Sequence, residues 1–335
     1  MFDYSSMAKF PLRLLRPTKP DASVGEIVEA YLSTLKPKSQ INYRKSWRIF
    51  SEYVAGKGDE VLKVTHLGAQ LYIKHFSNRK GVGVRLGKEV TVSKSTLKKE
   101  SAVLKRLYDV VFQEKRITRA NPFEPLYKEY ANVQVKQRRP TELIPFEDVN
   151  KLLNRPDRTK KRGVRDRAIL ALLLGGALRR SEASNLNISS VKKDVYGNYS
   201  LSLAETKNGD DAEQPLADFV KEPMDELLAQ RLQEGATPED PLFVDYRGEY
   251  GTAVNRRLGD AAIYFRVKLF CRLCGLSRHI SPHSARATSI TKLLEDGMSH
   301  REVKEFSRHA AIESIESYDK KRTEAGVRAA KKLSF

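Results

Sequence analysis

Ile280–Lys320, ISPHSARATSITKLLEDGMSHREVKEFSRHAAIESIESYDK, gathers His283, Arg286, His309 and Tyr318 into one short piece of chain. Phosphoryl transfer to a side-chain oxygen calls for such groups: a nucleophile, cations that neutralise charge building on the phosphate oxygens, and groups that manage protons. His283 and Arg286 stand three apart at the start of a segment with helical apolar spacing, Ile290, Leu293 and Leu294, and are expected to face the same way. Gly297 is expected to stop that helix, and a second short one, Arg301–Arg308, to lead to His309. Tyr318 follows nine residues later, with Ile312 and Ile315 expected to anchor it to the body.

Working outward, 335 residues exceed one average domain, and 40% hydrophobic content is enough for two cores. Nothing reads as a signal peptide or a bilayer-spanning run, so a soluble, intracellular protein is expected. Cys271 and Cys274 are the only cysteines, which excludes a disulfide framework. The formal net charge of +19 predicts an anionic partner, most simply nucleic acid, and its distribution is uneven. Residues 1–140 hold 28 Lys and Arg against 13 Asp and Glu, a net of +15; the remainder holds 33 against 29, a net of +4. The front half is therefore expected to grip a phosphate backbone and the back half to carry chemistry.

Residues 1–19 are short, basic and proline-punctuated, and read as an arm without a core of its own. From Val24 the pattern turns helical through Leu35, with Lys36-Pro37 as its expected end. A second helix is expected near Ser39–Val54, a third near His66–Phe76 and a long fourth at Ser93–Phe112, which complete a small bundle. Arg44, Lys45 and Arg48 lie outward on the second, and Lys94, Lys98 and Lys105 lie off the apolar face of the fourth. Taken together they read as a DNA-facing surface, against the blander alternative of solvated faces. Gly81–Gly87 is glycine-rich, but no strand precedes it and no Gly-Lys-Ser/Thr follows, so it reads as a connection. Residues 131–140 break the periodicity and end in proline, the best domain boundary in the chain.

Beyond the boundary, Pro145-Phe146-Glu147-Asp148 reopens a helix, and Ala168–Leu174 reads as a core helix stopped by Gly175-Gly176. Arg179 and Glu182 follow, three apart at a fresh helix start, where a carboxylate can hold a guanidinium in place. Tyr199, Leu201 and Leu203 alternate with serines as a strand, Lys207–Asp210 reads as a hairpin tip, and Gln214-Pro215-Leu216 as the return. Helices are expected near Phe219–Glu234 and Val254–Leu273, separated by a strand-like Leu242-Phe243-Val244. Cys271, Cys274, His279 and His283 form a faintly zinc-like set whose spacing fits no usual finger, so the cysteines are expected in the core and no metal is expected.

These residues together resemble the tyrosine recombinase, or phage integrase, family. LRRSE at 178–182 looks like its first arginine box, HSAR at 283–286 like its His-x-x-Arg box, and Arg308-His309 followed by Tyr318 like its closing box. Lys207, eight residues before Pro215, matches the family's hairpin lysine. There are two departures: the usual threonine-glycine-leucine is Gly176-Ala177-Leu178, and the usual leucine-glycine-histidine is Ser307-Arg308-His309. The resemblance covers roughly residues 20–330. It implies a mainly α fold with a small β-sheet: a helical, SAM-like core-binding domain over 20–130, a linker over 131–140, and a catalytic domain with a C-terminal tail over 141–335.

It also implies roles. Tyr318 would attack a DNA phosphate, Arg179 and Arg286 would hold its oxygens, and Lys207 would be the general acid. His283 would move the tyrosine proton, His309 would hydrogen-bond the phosphate, and Glu182 would orient Arg179. The implied enzyme is a site-specific recombinase of integrase or resolvase type that needs neither ATP nor metal and uses no cofactor. It would be a monomer in solution and a tetramer on double-stranded recombination sites, with accessory DNA-bending proteins as further partners and a cytoplasmic, nucleoid-associated location. A type IB topoisomerase, or a DNA-binding factor without catalysis, are the competing readings. The tail 322–335 reads as a helix that docks on a neighbouring subunit or on its own domain.

Overall fold

The computed structural model describes residues 22–58, 60–78, 92–132, 141–203, 212–247, 252–316 and 318–319. The basic arm, the glycine-rich connection at 81–87, Lys207 and the tail 322–335 lie outside the described residues. The chain falls into two compact units, Met1–Arg139 and Pro140–Phe335.

The first unit is a bundle of α1 (Val24–Ser33), α2 (Pro37–Ala55), α3 (His66–Ser77), α4 (Lys94–Glu114) and α5 (Glu124–Asn132). Ser23, Thr65 and Ser93 cap α1, α3 and α4 with side-chain oxygens, each satisfying a backbone N–H that the first turn leaves free. Pro37 opens α2 instead of only closing α1: a proline at the first position loses no intrahelical bond. The core is aromatic, with Phe50 edge-on to Tyr72, Phe123 and Tyr108 at centroid distances of 5.0, 5.4 and 5.9 Å. Buried Glu100 on α4 accepts from Ser46 Oγ at 2.7 Å and Tyr72 Oη at 2.6 Å, which fastens α2 and α3 to it. The sequence pattern missed α5, which runs through Asn132 and so overlaps the expected start of the linker.

The second unit begins with α6 (Phe146–Leu153), α7 (Lys161–Gly175) and α8 (Arg180–Asn185). An antiparallel sheet follows, β1 (Val191–Lys193), β2 (Tyr199–Leu203) and β3 (Ala212–Pro215), in that order across the sheet. The alternation in β2 is as read: Tyr199, Leu201 and Leu203 are buried and the serines between are partly exposed. The β2–β3 register runs from Ser200↔Pro215 to Leu203↔Ala212. Next come α9 (Lys221–Gln233), a hairpin of β4 (Val244–Arg247) and β5 (Thr252–Arg257), and then α10 (Asp260–Leu273), α11 (Pro282–Glu295), α12 (His300–Ser307) and α13 (Glu313–Glu316).

Two expectations are corrected here. Thr252–Arg257 pairs with β4, so the helix expected from Val254 begins at Asp260, where Gly259 stands as N-cap. Leu242 and Phe243 are buried ahead of the strand that starts at Val244. The core helix is α7, which begins seven residues before Ala168 because Arg165, Asp166 and Arg167 are buried too. Cys271 and Cys274 pack into the core of this unit, and burial pushes the Cys271 thiol up to about 11. Among the described residues no helix is long and apolar enough to cross a membrane.

Candidate active site

Two glycines place Arg179. A Cβ on Gly175 would stand 2.3 Å from Val220 Cγ2, and one on Gly176 2.7 Å from Leu216 Cδ2, so a side chain at either position would have to displace the segment after β3. The chain then turns through Ala177, left-handed at φ 44°, and Arg179 caps α8. Glu182, one turn into α8, takes the Arg179 backbone N–H on Oε2 at 2.8 Å and Arg179 Nη1 on Oε1 at 2.6 Å. This is the clamp expected from the spacing.

Arg286 lies on the first turns of α11, 2% exposed. Its Nη1 donates to the Ala177 carbonyl and its Nη2 to the Ser307 carbonyl, so the guanidinium joins the α7–α8 turn to the end of α12. Ser289 adds a second tie, its Oγ donating to the Leu174 carbonyl at 2.6 Å. His283, nearer the start of α11, is exposed whereas Arg286 is buried, so the shared facing expected of them ends with one at the surface and one beneath.

The closing box follows from how α12 ends. Arg308 adopts φ 55°, ψ 45°, the left-handed C-cap conformation that reverses the chain, and His309 N–H bonds back to the Lys304 carbonyl at 3.3 Å. His309 Nδ1 then sits 2.7 Å from Ser307 Oγ and 3.4 Å from Arg286 Nη2. Tyr318, half-buried, has its ring centroid 6.1 Å from that of His309. It packs against Ile290, Val303 and Ile315. Ile315 carries the anchoring that was expected of two isoleucines, since Ile312 is exposed.

The electrostatics follow from this crowding. Burial pulls the Arg286 guanidinium down to about 9, with Arg179 adding to the effect and Glu182 opposing it. Burial, then Arg286 and Arg179, push His309 down to about 3, so it is neutral at pH 7. Burial raises the Tyr318 hydroxyl, while Arg286 and Arg179 pull it back. Burial also raises Glu182, but Arg308 and Arg179 outweigh it and hold the carboxyl below its usual range. Arg179 and Arg308 thus share the Glu182 carboxylate, while Arg286 adds a positive charge with no carboxylate of its own, an arrangement that favours an incoming anion beside Tyr318.

The structure therefore brings Arg179, Glu182, Arg286, His309 and Tyr318 together, with His283 close enough to add to the downward shift of His309. Lys207, in the 204–211 connection between β2 and β3, lies outside the described residues. Of the surface residues, Arg44, Lys45, Arg48 and Lys94 are exposed and Lys98 is partly so. Arg44 is forked onto Glu29, and Lys105 is turned onto Asp109 and Glu124 at 2.8 and 2.9 Å, which spends its charge inside the bundle. Three contributors carried no signal as site residues: the carbonyls of Ala177 and Ser307 and the side chain of Arg308. Among the described residues no group of three or more His, Cys, Asp or Glu is placed to hold a metal ion.

A helical bundle followed by a mainly helical unit with small antiparallel sheets is the fold of the solved tyrosine recombinases. One is XerH in a post-cleavage complex with palindromic difH, which aligns with a TM-score of 0.65 at 18% identity over 92% of this chain and 85% of that one. Another is the Tn1549 transposon integrase with circular intermediate DNA, at 0.63 and 17% over 93% and 99%. Residues 142–325 match the phage integrase family, and the chain belongs to it. Among curated relatives, the tyrosine recombinase XerC of Pelobacter propionicus is 28% identical over 291 residues, 85% of each chain. A tyrosine recombinase of Synechococcus elongatus is 34% identical over 177 residues, and the chain spans about half its length, 52%.

Proposed function

We propose that the chain is a site-specific DNA recombinase of integrase or resolvase type that cleaves and rejoins DNA through a 3′-phosphotyrosyl intermediate. The observation that carries this reading is the convergence of Arg179 and Arg286, from separate helices, beside Tyr318: burial holds its hydroxyl above the usual range, and both guanidiniums act against that burial. Tyr318 attacks the scissile phosphorus, and the P–O bond to the 5′-oxygen breaks. Arg179 and Arg286 neutralise the non-bridging oxygens, where planar guanidinium donors suit a pentavalent phosphorus. Neutral His309 hydrogen-bonds the same phosphate, exposed His283 takes the tyrosine proton, and Lys207 protonates the leaving 5′-oxygen. The ester energy is kept in the tyrosyl link, so a second 5′-hydroxyl reverses the step with neither ATP nor metal consumed.

The partner is double-stranded DNA, as in the XerH and Tn1549 complexes. The exposed basic residues of the first unit, Lys45, Arg48 and Lys94 among them, supply backbone contacts. Strand exchange between two duplexes calls for four protomers on DNA, a monomer free in solution and, at some sites, DNA-bending partners. Such a protein works at the nucleoid in the cytoplasm. The test is a nicked suicide duplex made from the native flanking DNA. The protein is expected to form a covalent adduct with it, which Tyr318→Phe abolishes and chelation of magnesium leaves intact. Specific binding with no adduct would favour a DNA-binding factor without catalysis, and relaxation of any plasmid would favour a topoisomerase.

A further inference from the structure

Arg308 occupies a position whose backbone suits glycine. Its φ of 55° is in the left-handed region, and the described residues hold only two other non-glycines at positive φ, Arg116 and Ala177. A residue that crowds its own backbone there needs a compensating contact, and Arg308 has one. Its side chain turns inward to about a tenth exposed, and Nη2 donates to Glu182 Oε2 at 2.7 Å. The Arg308 carbonyl accepts from Arg179 Nη2 at 3.2 Å. Arg308 therefore reaches Arg179 by two routes, once through Glu182 and once through its own backbone.

The way Glu182 is divided shows what this does. Oε1 takes Arg179 Nη1, and Oε2 is shared between the Arg179 backbone N–H and Arg308 Nη2. A carboxylate with both oxygens open draws a guanidinium into a two-point fork. That would turn the donors of Arg179 onto Glu182 and away from the site. With Oε2 occupied, Arg179 is held on Glu182 at one side-chain nitrogen, and its Nη2 goes instead to the Arg308 carbonyl. The nitrogens of Arg308 itself are poorly placed for a ligand: Nη2 is on Glu182, Nη1 is 3.5 Å from the Phe306 carbonyl, and Nε is buried without a hydrogen-bond partner among the described residues.

We propose that Arg308 is a positioning residue for DNA cleavage, a second guanidinium that splits Glu182 so that Arg179 keeps its donors for the scissile phosphate. The proposal rests on the recombinase reading above. It gives Arg308 no contact with DNA, which separates it from a residue that simply adds positive charge.

The test compares the full-length wild type with Arg308→Gly, Arg308→Lys, Glu182→Gln and the double variant Glu182→Gln/Arg308→Gly. Each is assayed for thermal midpoint, for DNA affinity as a function of salt, and for the single-turnover rate of covalent adduct formation on a nicked duplex at saturating protein. Glycine takes the left-handed backbone without strain, so Arg308→Gly is expected to fold with an unchanged or higher midpoint. It should bind DNA with the same affinity and salt slope, and cleave about ten- to a hundredfold more slowly, as misplaced catalytic groups do. Arg308→Lys, which keeps one cationic donor for Glu182, is expected to recover cleavage to within about threefold of wild type. In the Glu182→Gln background, loss of Arg308 should cost nothing more. Cleavage by Arg308→Gly at the wild-type rate would overturn the proposal, as would a shallower salt slope with additive losses, which marks a direct phosphate contact. If Arg308→Gly fails to fold, failure of the lysine variant to restore the rate in a folded protein would overturn it equally. A wild type that forms no adduct removes the recombinase reading and this proposal together, whereas the other outcomes bear on Arg308 alone.

Discussion

The second unit buries arginine in two ways. Arg165 on α7 is fully buried, with Nε and Nη2 on Asp166 Oδ1 at 2.9 and 2.7 Å and Nη1 on the Val244 carbonyl at 2.8 Å. Its charge meets a partner of opposite sign, and its guanidinium lies over the Tyr246 ring. Burial pushes the Asp166 carboxyl up against the pull of Arg165 and Arg266, so the pair carries a desolvation cost. What it secures is the register of α7 against β4. Around Glu182, by contrast, Arg179 and Arg308 share one carboxylate, and Arg286 beside them satisfies its donors on carbonyls, which carry no charge. In the first cluster every side-chain nitrogen of Arg165 has a partner, two of them on a carboxylate. The second holds unmatched positive charge next to a tyrosine, and under the proposed function the contrast separates an arginine that builds the fold from one that receives a phosphate.

The contrast breaks most visibly by mutation. Arg286→Ala is expected to slow adduct formation by about 10³-fold in single turnover, the scale on which a preorganised donor to a developing oxyanion contributes. Asp166→Ala is expected instead to leave the charge of Arg165 uncompensated and to cost about 3–5 kcal/mol in urea denaturation, with cleavage per folded molecule unchanged. If the two phenotypes were exchanged, the distinction would be wrong.

Acidification is a gentler probe. His309 titrates near 3 in the fold against about 6.5 when unfolded. Between those values the unfolded chain binds a proton that the folded protein refuses, so this residue makes stability fall as pH drops from about 6.5 toward 3. Sulfate seated among the guanidiniums offsets their field and is expected to flatten that fall. The check is the thermal midpoint from pH 7 to 4 with and without sulfate at constant ionic strength, and identical curves would contradict an anion-seeking site. The smallest effects concern the first unit. Lys94→Ala is expected to reduce the salt slope of DNA binding by about one. Lys105→Ala, whose charge is already spent on Asp109 and Glu124, should lower the midpoint and leave the slope alone.

Legibility in the sequence follows the same division. The nearness of Tyr318, Arg286, His309 and the Arg179–Glu182 pair was legible from residue type, order and short spacing, and α4 from its apolar stripe of Leu97, Leu104, Leu107 and Val111. The helix α5 was not, since Glu124-Pro125 opens a polar run in which Leu126 is a buried anchor. The first turns of α7 were hidden because charged residues that pair in the interior look like surface in a hydropathy pattern. The strand β5 depends on pairing with β4, which local propensity does not encode. Arg308 showed only that a glycine was missing. Its consequence needed a backbone angle and a carboxylate 126 positions away.

The most direct measurement is the site of covalent attachment. After reaction with the nicked duplex, nuclease trimming and trypsin, cleavage behind Arg308 and Lys320 yields His309–Lys320, and fragmentation mass spectrometry should find a nucleotide on Tyr318. A nucleotide on any other residue, or a specifically bound duplex that never becomes attached, would contradict the account.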